Sequence, residues 1–290
     1  MSFGHWFVGM QAGAQARPWI MNREKYMIRK IITMAAISIC LGASALCVNA
    51  GDSAQPQPGA KPGVKIQFKF TPGEVLRYKT VMETINDTGD GHPTTHWLTT
   101  VVRRTTNKVL PDGTGQLTEV MEYTKWDSME MPVETSAVTM DVSPTGVVKN
   151  IRGTGKFAGR DASRDNNQNK YFFPESEVKV GDKWSQEYTA YIMGEATIHL
   201  DKQLISTATK INSDVVAEIK ETFSGPLTPF KAGGMMKSGS GTGTGTIYFS
   251  LEKGRLIEAD DNIYANVSWS VGGIGAAPHI TYKVQTTLIP

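Results

Sequence analysis

Residues 257–271 read Ile-Glu-Ala-Asp-Asp-Asn-Ile-Tyr-Ala-Asn-Val-Ser-Trp-Ser-Val. The odd positions are Ile257, Ala259, Asp261, Ile263, Ala265, Val267, Trp269 and Val271; Glu258, Asp260, Asn262, Tyr264, Asn266, Ser268 and Ser270 alternate with them. A period of two with one apolar face describes a half-buried β-strand. The surrounding composition agrees. Residues 51–290 hold 29 Thr, 19 Val and 14 Ile against only 10 Leu and 14 Ala. Stiff β-branched side chains suit a pleated surface and gain little from a helix.

Turn chemistry recurs at hairpin intervals: Gly89-Asp90-Gly91, Pro111-Asp112-Gly113, Pro144-Thr145-Gly146, Asn212-Ser213-Asp214 and Lys253-Gly254. Together these signals predict an all-β domain of about twelve antiparallel strands, at 64–70, 74–86, 94–110, 115–127, 133–142, 146–151, 178–192, 196–211, 214–225, 242–252, 255–271 and 279–288. No run in this region has helical periodicity. A flat sheet of that width curls or splits, so a curved sheet, a barrel or a sandwich is expected.

Two stretches repeat in outline. Pro72-Gly73-Glu74 leading to Tyr78 answers Val180-Gly181-Asp182 leading to Tyr188, and Ser143-Pro144-Thr145-Gly146 answers Glu252-Lys253-Gly254. The offsets, 109 residues (Glu74 to Lys183, allowing one gap) and 108 (Gly146 to Gly254), are nearly equal. They predict two similar meanders, 64–151 and 175–290, joined by a Gly-, Asn- and Asp-rich crossover at 152–174.

The amino-terminal part is of another kind. Met27-Ile28-Arg29-Lys30 precedes an uncharged run from Ile31 to Val48, and small residues close it at Asn49-Ala50. A basic start, an apolar middle and small residues before a cut are the parts of a secretory signal peptide. We expect residues 21–50 to be that leader, with cleavage near Ala50 and export to the periplasm or beyond the cell. The alternative is a membrane anchor of marginal length. Residues 1–20 fit no part of a leader and read as a start-site artefact. Residues 51–63 (GDSAQPQPGAKPG) read as a flexible linker. Both cysteines, Cys40 and Cys47, fall within the leader, so the exported chain has neither disulfide nor thiolate metal site.

The charge balance excludes one class of partner. Residues 51–290 carry 25 basic and 27 acidic side chains, without the basic footprint of a nucleic-acid binder.

The runs Phe70-Thr71-Pro72-Gly73-Glu74 and Phe173-Pro174-Glu175-Ser176-Glu177-Val178-Lys179-Val180-Gly181-Asp182-Lys183-Trp184 resemble phrases that recur in uncharacterised bacterial exported β-rich proteins. The resemblance covers most of 64–290 and implies a signal peptide and a β-rich body. It carries over no catalytic residue. By architecture alone, long meanders are also similar to the half-barrels of periplasmic lipoprotein carriers, a likeness that does not transfer function.

No constellation of catalytic residues stands out. His92 and His96 lie about 13 Å apart if they share a strand face, too far for one metal ion. Asp87-Thr88-Gly89 spells the aspartic-protease tripeptide once, among polar turn residues. Asn86, Asp87 and Asp90, or Asp161, Asp165, Asn166 and Asn167, lack the spacing of a known calcium loop. The run Gly239-Ser240-Gly241-Thr242-Gly243-Thr244-Gly245-Thr246 lacks the ending of a phosphate loop and reads as a strand with a bare glycine face that a neighbour can approach. Met129 and Met131 read as core packing, and Trp97, Trp126, Trp184 and Trp269 as core or cavity lining. No cofactor and no metal site is expected.

The segment 226–238, Pro-Leu-Thr-Pro-Phe-Lys-Ala-Gly-Gly-Met-Met-Lys-Ser, reads as a loop that folds over the core. Its Leu227, Phe230, Met235 and Met236 form the candidate ligand or lipid site, with Lys231 and Lys237 able to meet anionic headgroups at a membrane surface. The expected function is a non-enzymatic envelope protein that binds a protein partner or serves structurally. The alternative is a carrier of an apolar ligand in the concave face of a curved sheet.

Overall fold

A computed structural model describes residues 63–133, 137–153, 170–191, 195–232, 235–271 and 274–290. The leader, the linker and most of the crossover lie outside the described residues. Thirteen strands form one antiparallel sheet: β1 Val75–Asp87, β2 Thr94–Val109, β3 Gly115–Trp126, β4 Met129–Glu130, β5 Ala137–Val142, β6 Val148–Gly153, β7 Lys183–Tyr191, β8 Glu195–Ile211, β9 Asp214–Ala232, β10 Met235–Ser250, β11 Arg255–Val271, β12 Ile274–Ala276 and β13 His279–Ile289. No helix occurs among the described residues.

The strand order is β6-β5-β3-β2-β1-β13-β11-β10-β9-β8-β7, with β4 paired to β3 and β12 to β11. Each half is thus a meander, and β13 joins them by pairing with β1 on one side and β11 on the other. The path ends at β6 and β7, so the sheet is open and not a barrel. It is one sheet, not a sandwich of two.

Alternation divides the sheet into two faces. In β1, Tyr78, Thr80 and Met82 are buried while Arg77, Lys79, Val81 and Glu83 face outward. The inner face continues across the register from Met82 to Val284 and Asp261 on one side, and to Leu98 and Trp126 on the other. The outer face is mostly Thr, Lys, Glu and Asn, the usual arrangement of a sheet wetted on one side.

The sheet is strongly curved, and two adjacent residues show it. Phe68 N donates to Pro144 O in the β5–β6 turn, and Lys69 N donates to Gly254 O in the β10–β11 turn. Those turns lie six steps apart in the strand order. At ~4.8 Å per step a flat sheet would hold them ~29 Å apart. Lys69 Nζ fixes the second turn further, donating to Leu251 O and Glu252 O.

Residues 64–70, expected as a strand, lie in the fold of this curve instead. Their alternation is real, with Ile66 and Phe68 buried and Lys65 and Lys69 outward. It reflects one face packed on the sheet, not a ladder. Beyond the Val64–Val178 bridge, the backbone makes only scattered bonds. Phe68 packs edge-on against Phe249 at 5.1 Å, and Phe173 against Phe249 at 4.8 Å. With Ile219, Ile247, Leu204 and Val178 these rings form the largest core cluster.

Three other expectations are corrected. The segment 226–238 is not a loop over its described residues: β9 runs to Ala232, and β10 begins at Met235 and pairs back against it. Its prolines read as breakers, but the register slips between Lys237 and Gly239, leaving Thr228 and Pro229 opposite a single residue. Such a bulge accepts a proline that has no amide to give. The tryptophans do not all face inward, because alternation that buries Leu98 puts Trp97 on the outer face, 47% exposed. Met129 is exposed as well, on the two-residue β4.

Candidate functional site

The four residues nominated from sequence are placed only by backbone register. Leu227 stands opposite Gly239 and Ala196, Phe230 opposite Lys237, Met235 opposite Ala232 and Met236 opposite Lys231. They therefore share one hairpin end.

The minor candidates resolve into turn chemistry. Asp87 Oδ1 accepts from Gly89 N at 2.8 Å and Asp90 Oδ1 from His92 N at 2.9 Å, so both carboxylates close their own turns. His96 bonds Asp127 at 2.9 Å and stacks on Trp126, apart from His92. Asp161, Asp165, Asn166 and Asn167 lie outside the described residues.

Sequence reasoning missed a buried ionic cluster on the inner face of the second meander. Lys202, Glu221, Gly245 and Asp261 stand in one register row across β8, β9, β10 and β11. Gly245 is required there, since a Cβ would lie 2.3 Å from Asp261 Oδ1 and 2.9 Å from Glu221 Oε1. Lys170 arrives from the end of the crossover and reaches Asp261 at 2.5 Å and Glu221 at 2.9 Å. Lys202, fully buried, lies 3.9 Å from Glu221 and donates to the Lys170 carbonyl.

The charges are mutually tuned. Burial pushes Asp261 up to about 7, opposed by Lys170 and reinforced by Glu221. Burial works against Glu221 too, yet Lys170 and Lys202 hold its carboxyl below the usual range. Burial pulls Lys202 down to about 8, against the attraction of Glu221. Lys170 feels the same desolvation, but Asp261 and Glu221 outweigh it and raise it well above an ordinary lysine. The cluster pins the crossover to the sheet. Its one sequence signal is the glycine stripe, which marked a place for close approach without naming what approaches.

A second feature lies on the outer face of the first meander. A cavity of about 300 Å³ is lined by Asn107, Gln116, Thr139, Asp141, Asn150 and Arg152, over Leu117 and Met140. Two bulges frame it. Asn107 is the extra residue of β2, between the Thr106–Leu117 and Lys108–Gln116 pairs. Across the floor, Asn150 and Ile151 of β6 oppose Met140 alone, and Asn150 takes the left-handed φ of 53°. Bulges re-aim side chains. Here they raise two amides as walls on either side of β3 and β5. Asn107 Nδ2 donates to Thr118 Oγ1 and Asn150 Nδ2 to Asp141 Oδ2, both at 2.7 Å.

No family model and no curated protein matches this chain.

Proposed function

We propose that this is a non-enzymatic protein of the cell envelope, exported to the periplasm or beyond after cleavage near Ala50, and that it works as a binding module through its outer face. The observation that carries the binding half is how the inner face is occupied. Ile66, Phe68, Phe173 and Val178 lie in the curve of the sheet at no more than 6% exposure, so the chain itself fills the place where a carrier would hold an apolar ligand. The cavity framed by the two bulges is polar and opens outward.

The non-enzymatic reading draws support from the ionic cluster. Lys202 and Glu221 have side chains with no exposure, so a substrate has no access to the one lysine among the described residues whose proton is loosened. We read the two meanders as copies of one ancestral unit, supported by matching register positions: Arg104–Glu119 between β2 and β3, and Lys202–Glu221 between β8 and β9.

The export half is tested by expressing the chain with its own leader in an exporting bacterium and measuring the mass of the product. The reading expects a processed chain beginning at Gly51. A chain that keeps residues 31–48 or stays in the cytoplasm overturns it.

A further inference from the structure

We propose that the bulge-framed cavity binds an acidic saccharide, a single sugar ring bearing a carboxylate. This rests on the binding-module reading and names its ligand. The volume, about 300 Å³, lies at the lower end of small-molecule sites, room for one ring rather than a length of polymer.

The lining chooses the chemistry. Asn107, Gln116 and Asn150 each offer both a donor and an acceptor, the pairing that sugar hydroxyls require, and Thr139, whose hydroxyl donates to Arg152 O at 3.3 Å, adds an acceptor. Arg152 adds one cationic fork. It is exposed and makes no ion pair among the described residues, whereas Arg77 and Arg103 on the same face are both committed to Glu122. Such a guanidinium, beside three amides, can take one planar carboxylate bidentately.

The wider field agrees. Lys108 stands opposite Gln116, Lys149 opposite Asp141 and Arg152 opposite Thr139. Their three positive charges exceed those of Asp141 and of Asp112, the turn carboxylate that Lys149 also faces. Two rival ligands fit less well. A free amino acid would bring an ammonium to Asp141, whose Oδ2 already accepts from Asn150, so it would have to share that carboxylate. Phosphate alone would leave the amides unused.

The site is built rather than incidental to the sheet. The second meander has the same β-bulge in β8, between the Leu204–Ile219 and Ser206–Glu218 pairs, but there the extra residue is Ile205. At the place of Asp141 it has Tyr248, opposite Glu258 beside a further bulge. The backbone device occurs twice; the hydrogen-bonding lining occurs in the first meander. Asn150 takes its left-handed φ of 53° at small cost, as asparagine can, and the β6 bulge thereby places its amide beside Asp141.

The test is a calorimetric and NMR titration of the exported protein with glucuronate, glucose and inorganic phosphate. One glucuronate should bind per chain, at least tenfold tighter than glucose and than phosphate, shifting the side-chain amide signals of Asn107, Gln116 and Asn150. Arg152→Gln, at an exposed position, should abolish the preference for glucuronate over glucose while leaving the thermal melt unchanged. Lys220→Gln, on the outer face of the second meander, should change nothing.

Phosphate binding as tightly as glucuronate would overturn the proposal, leaving only a cationic patch. So would glucuronate binding that moves none of the three amides or survives Arg152→Gln. If no sugar binds a correctly processed, exported chain, the ligand class fails while the envelope reading stands. If the chain is not exported, the parent reading fails first.

Discussion

The two meanders place the same device at the same point and complete it differently. In the first, Arg104 faces Glu119, followed across the row by Val138 and Gly153. In the second, Lys202 faces Glu221, followed by Gly245 and Asp261. Glycine and side chain have changed places. Val138 fills the inner face beside Glu119, whereas Gly245 leaves space that two carboxylates share. Arg104 keeps 22% of its side chain exposed and lies 5.3 Å from the Tyr78 ring, so one cation suffices. In the second meander a further carboxylate demands a further cation, and Lys170 supplies it from the crossover. A buried charge needs its partners close, because removal from water costs several kcal/mol per ion. The second meander is thus tied to the end of the crossover by buried charge, whereas the first meets it through the Phe173 N–Thr145 O hydrogen bond.

The largest expected difference between the halves comes from removing the central carboxylates. Glu221→Leu leaves two buried ammonium groups with Asp261 alone and should cost about 3–5 kcal/mol in urea unfolding. Glu119→Leu should cost about 1–2 kcal/mol, since Arg104 can turn toward water. Equal losses would break the contrast.

Next in size is the glycine stripe of β10. Gly245→Ala drives a methyl into both carboxylates and should cost about 1–3 kcal/mol by overpacking. Gly241→Ala, whose nearest neighbour is Tyr264 O at 3.7 Å, should be within about 0.5 kcal/mol of the parent. The same experiment on one strand therefore separates a required glycine from a tolerated one.

The pH dependence is smaller and has a definite sign. Asp261 is raised to about 7 from an ordinary 3.8. Between those values the folded state holds a proton that the unfolded state has lost, so this group's stabilisation declines as pH rises through the window. Glu221, shifted down, acts oppositely below its ordinary 4.5. Lys202, lowered to about 8 from 10.5, is discharged earlier in the folded state. Its burden on stability is present below about 8 and is relieved as pH rises toward 10.5. Thermal melts should fall by a few degrees from pH 5 to 7.5 and flatten in Asp261→Asn. An unchanged slope in that variant would remove Asp261 from the account.

The smallest effect is expected at Asn150→Gly, which eases the left-handed backbone but gives up the bond to Asp141. Stability should change by less than about 1 kcal/mol. A larger loss would mean that the side chain, not the β6 backbone, holds the bulge.

Much of the sheet was legible because period two is a local signal. Residues 257–271 lie in β11, whose bounds, 255–271, match the expectation. Residues 64–70 show the limit of that signal: alternation reports which side chains are covered and is silent on what the backbone pairs with. Pro229 misled in the opposite direction, since a bulge absorbs what a regular ladder would refuse, and Pro226 stands in register opposite Ser240. The ionic cluster was hidden for another reason. Lys170 and Asp261 are 91 positions apart, and only the curved sheet brings them together. Asn107 and Asn150 looked like any polar strand residues, because a bulge is a property of two strands in register and not of either one.

The most direct measurement is native mass spectrometry of the protein purified from an exporting host, followed by organic extraction. The account predicts a clean apo mass with no extractable apolar molecule, because the inner face is filled by the chain's own Phe68 and Phe173. A lipid or other apolar molecule bound one to one would contradict it and return the inner face to the carrier reading.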